Sequence, residues 1–283
     1  MAVPRPDGAG ALRLVAVTNL FPNPAEPQRS TFNERQLLEL NAVAPLSVVA
    51  PVAWTQKLQL ARQGRLRELA ACREWRGIPV AYPTYWFVPR MLAGIRGASM
   101  GASIAAATAR AIRERRPQAL LATWAYPDGF AAVRLGRRAR LPVFVKVHGS
   151  DVESLDEGGP QARLALEGLG QARAVVSVSR YLRERLVAHG VPADRIVVVR
   201  NGVDADQFRP GDREGLRREL GLDPARSLVI YVGNLKADKG VLDLVDDAVI
   251  DACRRRGVHL AIIGGGALAA RLAAAIASRS IAD

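Results

Sequence analysis

The chain has 283 residues, 49% hydrophobic and 24% charged, with a formal net charge of +13. That balance excludes a disordered chain and favours two packed domains over one, and so basic a surface suits polyanions: nucleic acid, anionic lipid or phosphorylated substrates. Two cysteines, Cys72 and Cys253, and three histidines are too scattered to assemble a metal site or a disulfide framework, so free thiols in a reducing compartment are expected.

In chain order, the opening MAVPRPDGAGALRLVAV lacks the charged region, apolar core and cleavage site of a signal peptide. Residues 12–18 read as a first strand, followed by a long loop and a helix over 31–42. Strands follow at 46–50, 80–82, 119–122, 143–147, 174–178 and 196–199. Helices are expected over 91–115, 128–140, 161–171 and 179–189. The bland run GASMGASIAAATA, residues 97–109, is too short and too weakly hydrophobic to span a bilayer. A soluble, cytoplasmic protein, at most peripheral to a membrane, is the expectation. Continuous apolar strands separated by helices predict a parallel α/β sheet covered on both faces.

The rhythm breaks at RNGVDADQFRPGD, residues 200–212, a turn-rich linker. Domains of 1–205 and 206–283 follow from that break. Beyond it a new series starts: strand 228–232, helix 239–254, strand 260–263, helix 267–279. Two strands fall short of the five or six usual in doubly wound sheets. Residues 213–283 are therefore an appendage or part of a domain that a longer protein completes, and the second reading is preferred.

Ligands of open α/β sheets bind beyond the carboxyl ends of the strands. In TNLFPNPAEPQRSTFNERQ, Ser30 or Thr31 is placed to cap the helix, whose free N–H groups can hold phosphate or sugar oxygens; an ordinary cap explains the same residues. In TWAYPDGFAA, residues 123–132, Asp128 can cap the next helix, while Trp124 and Tyr126 stack on a sugar or pack the core. In VFVKVHGSDVE, residues 143–153, His148 stands where an apolar strand meets a glycine turn at Gly149, with Asp151 nearby. An imidazole there can contact substrate hydroxyls or move a proton. His189 is expected to cap helix carbonyls and His259 to be structural. In YVGNLKADKG, residues 231–240, Gly233 permits a close backbone approach, and Lys236 and Lys239 flank a helix start, an arrangement suited to a diphosphate. AIIGGGALAARL, residues 261–272, fails the GxGxxG spacing and has no ribose-binding acid downstream, so a nicotinamide dinucleotide site is not expected.

These stretches, in this order, with VSRYLRERL and RIVVVRNGVDADQFRP between them, resemble family-4 glycosyltransferases of the GT-B fold, the branch that builds bacterial surface polysaccharides, teichuronic-acid types included. The resemblance spans nearly the whole chain. It implies two Rossmann-like domains: an acceptor-binding domain, 1–205, and part of a nucleotide-sugar-binding domain, 206–283. It implies a retaining transfer from a nucleotide-diphosphate sugar to a glycan or lipid-linked acceptor, with no metal or cofactor. Carried over, His148 contacts the transferred sugar, and Lys239 neutralises the departing diphosphate. Ser30, Thr31, Gly233, Asn234 and Lys236 lie along the donor phosphates, Gly264, Gly265 and Gly266 beside the nucleotide, and Tyr126, Asp128 and Asp151 on the acceptor side. The chain departs from the family's pattern in having Ser30 where relatives often have glycine and Asn234 where they often have arginine. It also ends before the family's acidic donor-binding motif.

Two other readings stay open: a nucleotide-sugar epimerase of the same fold, and a non-catalytic carbohydrate- or membrane-surface-binding protein. Nucleic-acid binding ranks last, for want of a module mixing aromatic and basic residues. Residues 57–76 carry six Lys/Arg (Lys57, Arg62, Arg65, Arg67, Arg73, Arg76) against Glu68 and Glu74. They read either as a solvated helix packing its leucines on the core or as a basic amphipathic helix at an anionic membrane surface.

Overall fold

The apolar runs of the first 202 residues become the strands of one sheet. The computed structural model describes residues 12–88 and 93–279, in two compact units divided between Gly202 and Val203. The readings made on the first eleven residues, on the start of the helix expected from 91, and on the last four residues lie outside the described ones.

In the first unit the strands are β1 (Leu14–Val17), β2 (Leu46–Val49), β3 (Val52–Ala53), β4 (Glu74–Trp75), β5 (Ile78–Ala81), β6 (Thr84–Tyr85), β7 (Ala119–Ala122), β8 (Val143–Val147), β9 (Ala174–Ser177) and β10 (Ile196–Val198). Eight of them form a sheet in the order β10-β9-β8-β7-β1-β2-β5-β4. Every pairing is parallel except β4 with β5; β3 and β6 pair separately. Parallel neighbours share their carboxyl edge, so the loops leaving β1, β7 and β8 emerge side by side.

The sheet is buried on both faces, as continuous apolar strands require. Along β1, Val15 and Val17 join one core cluster with Leu120, Val145 and Val147. Leu14 and Ala16 join the other, with Phe21, Leu37, Leu46, Val48 and Ile78. This period-2 alternation splits one strand between two layers, and each fully buried Val or Leu contributes about 1.5–3 kcal/mol. Helices cover both layers: α1 (Thr31–Val43), α2 (Trp54–Arg62), α3 (Leu66–Ala71), α4 (Arg96–Arg115), α5 (Phe130–Ala139), α6 (Ser150–Glu153), α7 (Gly159–Gln171) and α8 (Arg180–Ala188). On α4 the buried Met100, Ile104 and Thr108 recur every fourth residue, one stripe of a helix. Ser179 caps α8, its Oγ accepting from the Leu182 N–H at 3.1 Å.

The basic stretch 57–76 is not one helix. Gly64, at φ +72°, separates α2 from α3, and Glu74–Trp75 is already strand. Leu60 and Leu69 are buried with Val52 in a small cluster, while Leu58 and Leu66 stay exposed.

The second unit holds α9 (Arg213–Glu219), β11 (Ser227–Val232), α10 (Asp247–Arg255), β12 (Val258–Ile263) and α11 (Ala269–Ser278). Strands β11 and β12 pair in parallel, Val229 opposite Leu260. Leu235, Val241, Val245 and Leu272 form its core, while Val232 is 73% exposed. The helix expected over 239–254 is shorter. Short 3-10 turns occupy Ala237–Lys239 and Asp243–Val245, and α10 starts only after Asp246, whose carboxylate accepts from the Ala248 N–H at 3.0 Å. The cap fixes the start, and the sequence reading passed over it.

Candidate active site

At the carboxyl edge of the first unit's sheet, three strand ends supply polar residues. β1 runs into Thr18 and Asn19, β7 into Thr123 and Trp124, and β8 into His148. Thr18, Asn33 and Thr123 are all buried and bind one another. The Thr123 hydroxyl donates to Thr18 Oγ1 at 2.7 Å, and Asn33 Nδ2 donates to Thr123 Oγ1 at 2.8 Å and to the Leu20 carbonyl at 2.6 Å. This network joins α1 to the ends of β1 and β7. Asn33 Oδ1 is buried without a partner.

His148 follows β8 directly, and the turn beyond it needs Gly149, at φ +140°. The imidazole packs edge-on against Phe32, 5.0 Å between centroids, and parallel to Trp124 at 6.1 Å. Its Nε2 is buried and has no hydrogen-bond partner. Burial, then the nearby Lys146 cation, pull its pKa down to about 4, against a backbone hydrogen bond to Thr123 that raises it. At neutral pH the ring is therefore uncharged, able to meet a hydroxyl or accept a proton.

Asp128 and Asp151, expected on the acceptor side, spend their carboxylates on backbone. Asp151 Oδ1 accepts from the His148 and Gly149 N–H groups at 2.9 and 3.0 Å, and Oδ2 accepts from Ala125 at 3.1 Å. The acid thus fixes the turn that presents the imidazole. Burial raises its pKa, and those three bonds oppose the rise. Asp128 is fully buried and does not cap α5. Both its oxygens lie 3.3 Å from the Asn19 N–H. Burial, with a smaller push from Asp151, lifts its pKa to about 7 against the Asn19 bond and Arg29. Tyr126 Oη accepts from the Gly97 N–H at 2.8 Å, and the ring lines a cavity of about 30 Å³ together with Asp151, Ser154 and Gln161. His189 does not cap with its side chain: Nε2 lies 2.9 Å from Asp156 Oδ1.

Ser30 occupies the N-cap position of α1 but gives no side-chain cap. Its backbone is left-handed, φ 50° and ψ 44°, and its carbonyl accepts from Asn33 and Glu34 N–H at 2.9 and 3.1 Å. A glycine would sit in that conformation without strain. Thr31 is the first, exposed residue of α1.

In the second unit the loops after β11 and β12 are zipped together. Gly233 N–H donates to the Ile263 carbonyl at 3.0 Å, Leu235 to Gly265 at 2.9 Å, and Leu268 to Leu235 at 3.0 Å. A Cβ on Gly264 would stand 1.9 Å from the Gly233 carbonyl oxygen, and one on Gly266 would lie 2.6 Å from that of Leu235. These glycines let two loops touch. The Asn234 carbonyl accepts from Tyr231 Oη at 3.1 Å. Lys236 precedes and Lys239 ends a 3-10 turn, not a helix start, and Lys239 Nζ lies 3.5 Å from Asp238. Among the described residues no three His, Cys, Asp or Glu side chains are grouped to hold a metal ion, and no helix is long and apolar enough to cross a membrane.

The sequence reading missed Lys146 and Asn201. Lys146 is 5% exposed within β8 and donates to Asn201 Oδ1 at 3.0 Å; burial lowers its pKa to about 8. The signal was visible: a lysine inside the run VFVKV, two residues before the histidine.

The fold is α/β, of the GT-B type. It resembles sucrose-phosphate synthase from Thermosynechococcus elongatus with a TM-score of 0.65, over 96% of this chain and 69% of that one. Anabaena HepE, crystallised with UDP and glucose, gives 0.64 over 96% and 67%. Both are 16% identical to this chain, a likeness of fold. Residues 54–207 match Glycosyltransferase Family 4, and the chain belongs to that family. The Bacillus subtilis protein TuaC, whose name places it in teichuronic acid biosynthesis, is 28% identical over 242 residues, 82% of this chain and 61% of its own length. The D-inositol 3-phosphate glycosyltransferase of Nocardia farcinica is 35% identical over 96 residues, 33% of this chain and 21% of its own. The chain thus spans about three fifths of TuaC and less of the second relative.

Proposed function

We propose that this chain carries the acceptor-side unit and part of the donor-side unit of a glycosyltransferase. It moves a sugar from a nucleotide-diphosphate sugar to a glycan or lipid-linked acceptor in cell-surface polysaccharide biosynthesis, with retention of anomeric configuration and without a metal. The observation that carries the reading is His148: a neutral imidazole at a strand end, wedged between Phe32 and Trp124, with Nε2 buried and unpartnered. A buried polar atom left without a partner is costly, and a sugar hydroxyl is the group such a nitrogen accommodates.

Asp151 holds the His148 turn, and the Thr18–Asn33–Thr123 network holds the loop bearing Ser30 and Thr31 near it. In the second unit, Gly233 and Asn234 keep the loop after β11 close to a diphosphate, Lys236 and Lys239 supply it with charge, and Gly264, Gly265 and Gly266 give the nucleotide a backbone without side chains. Charge developing on the leaving phosphate favours preorganised cations there; removing one such donor typically lowers turnover about 10²–10³-fold. Membership of Glycosyltransferase Family 4 and the names of the relatives support this reading. The basic stretch 57–76, with Trp54 at the start of α2 stacked 6.2 Å from the 61%-exposed Trp86, suits a peripheral position on the inner face of the cell membrane. The test is calorimetric titration with UDP, GDP, ADP and their sugars, on this chain and on the natural full-length protein. Saturable binding of one nucleotide series by the full-length protein is expected; binding of none contradicts the reading.

A further inference from the structure

Lys146 is a cation in the middle of a parallel sheet. β8 lies between β7 and β9, and the residue is 5% exposed. Taking an ammonium out of water costs several kcal/mol unless a counter-charge compensates it. Among the described residues no carboxylate pairs with Lys146. Its hydrogen-bond partner is the neutral amide oxygen of Asn201, at 3.0 Å. That oxygen also accepts from Gln36 Nε2 at 3.4 Å, so α1 and the segment after β10 together aim the ammonium. An ammonium has three donors, and Asn201 takes one.

Side chains two apart on a strand share a face. Lys146 therefore lies on the side of the sheet that His148 continues, and its charge acts on the imidazole directly. Two polar functions meet at this strand end, both incompletely satisfied: a cation without an anion, and the buried Nε2 of His148 without a partner.

We propose that Lys146, aimed by Asn201 and Gln36, binds an oxyanion of the substrate, a carboxylate or phosphate group, beside His148. The inference rests on the reading of the β8 end as part of the substrate site. The anion supplies the missing counter-charge. It also offsets the Lys146 repulsion, which adds to burial in lowering the basicity of His148, so arrival of an acidic ligand makes the imidazole more basic. An opposite charge at 4–6 Å moves a titration by about one to three pH units.

The experiment is an NMR titration of the His148 imidazole in this chain, alone and with inorganic phosphate, glucuronate or UDP, and with glucose as the uncharged control. At least one anion is expected to raise the His148 midpoint by about one pH unit or more, and glucose to leave it in place. A response to glucuronate alone identifies an acidic sugar as the source; a response to phosphate and UDP identifies a phosphate group. Lys146→Met should weaken that anion's binding by about tenfold or more and abolish the ligand-dependent shift, while unfolding at the same or a higher urea concentration, since it removes an unpaired buried charge. Lys146→Gln keeps a donor for Asn201 without the charge and should lose anion binding equally, which covers the case in which the methionine variant does not fold. The inference is overturned if no anion moves His148, or if the glutamine variant binds anions as the wild type does. Release of nucleoside diphosphate by the natural full-length protein is read separately: anion binding at Lys146 without any sugar transfer sinks the transferase reading and leaves this one standing.

Discussion

Asp128 offers a perturbation whose size the structure sets. Its carboxyl is fully buried beside the Asn19 N–H, and burial raises its pKa from the ordinary 3.8 to about 7. The folded state therefore holds a proton that the unfolded chain has released. The stabilisation this gives, relative to the ionised form, is full below about pH 4 and is lost as pH rises through 7. Integrated over that window at about 1.4 kcal/mol per pH unit, the ceiling is about 4 kcal/mol. Asp128→Asn cannot ionise and keeps an oxygen for Asn19, but its amide N–H₂ needs partners, at a cost of about 1–3 kcal/mol. The variant should be more stable than the wild type at pH 8 by about 1–3 kcal/mol, and less stable at pH 4 by the amide's cost of about 1–3 kcal/mol. All four tryptophans, Trp54, Trp75, Trp86 and Trp124, lie in the first unit, so urea unfolding followed by tryptophan fluorescence reports that unit alone. With a slope of about 1–3 kcal/mol per molar urea, the pH 8 midpoint moves up by about 1 M. A stability difference independent of pH would refute the burial argument.

Lys239→Ala should weaken nucleoside-diphosphate binding in the full-length protein, and Lys236→Ala only partly; equal, negligible losses in calorimetry would show a solvent-facing loop. Reversing Arg62, Arg65 and Arg67 to Glu should release the protein from anionic vesicles at low salt, each basic residue near such a surface being worth about 1 kcal/mol; wild-type protein that fails to co-sediment with vesicles removes the membrane proposal. Amides of β11 and β12 should exchange with solvent faster than those of β1 and β8, because a two-stranded sheet over a small core is marginal; equal protection by hydrogen exchange would contradict this.

The order of elements was readable because burial on both faces leaves unbroken apolar runs: residues 119–122 and 143–147 are strands with the expected ends. His148 was readable because a histidine and a glycine interrupt such a run. What stayed hidden depended on partners distant in sequence. Nothing local shows that Asp151 also reaches the Ala125 N–H, 26 residues away, that Asp128 is buried under Asn19, or that Lys146 meets Asn201 across 55 residues. The helix start at Asp247 was missed for a local reason. Asp246 is an ordinary cap signal, but the lysine-glycine turn before it drew the boundary too early. The basic stretch was drawn as one helix because charge and leucine spacing were weighed above Gly64.

The central claim is that His148 faces the reacting sugar. Its most direct test is steady-state transfer by the natural full-length protein and its His148→Ala variant, with the nucleotide sugar that binds best, alongside calorimetric donor affinity. The account predicts that turnover falls by about 10²-fold or more, the scale of a positioned acid–base or hydroxyl contact, while donor affinity changes by less than about tenfold. Unchanged turnover in the variant would contradict it and take His148 out of the site.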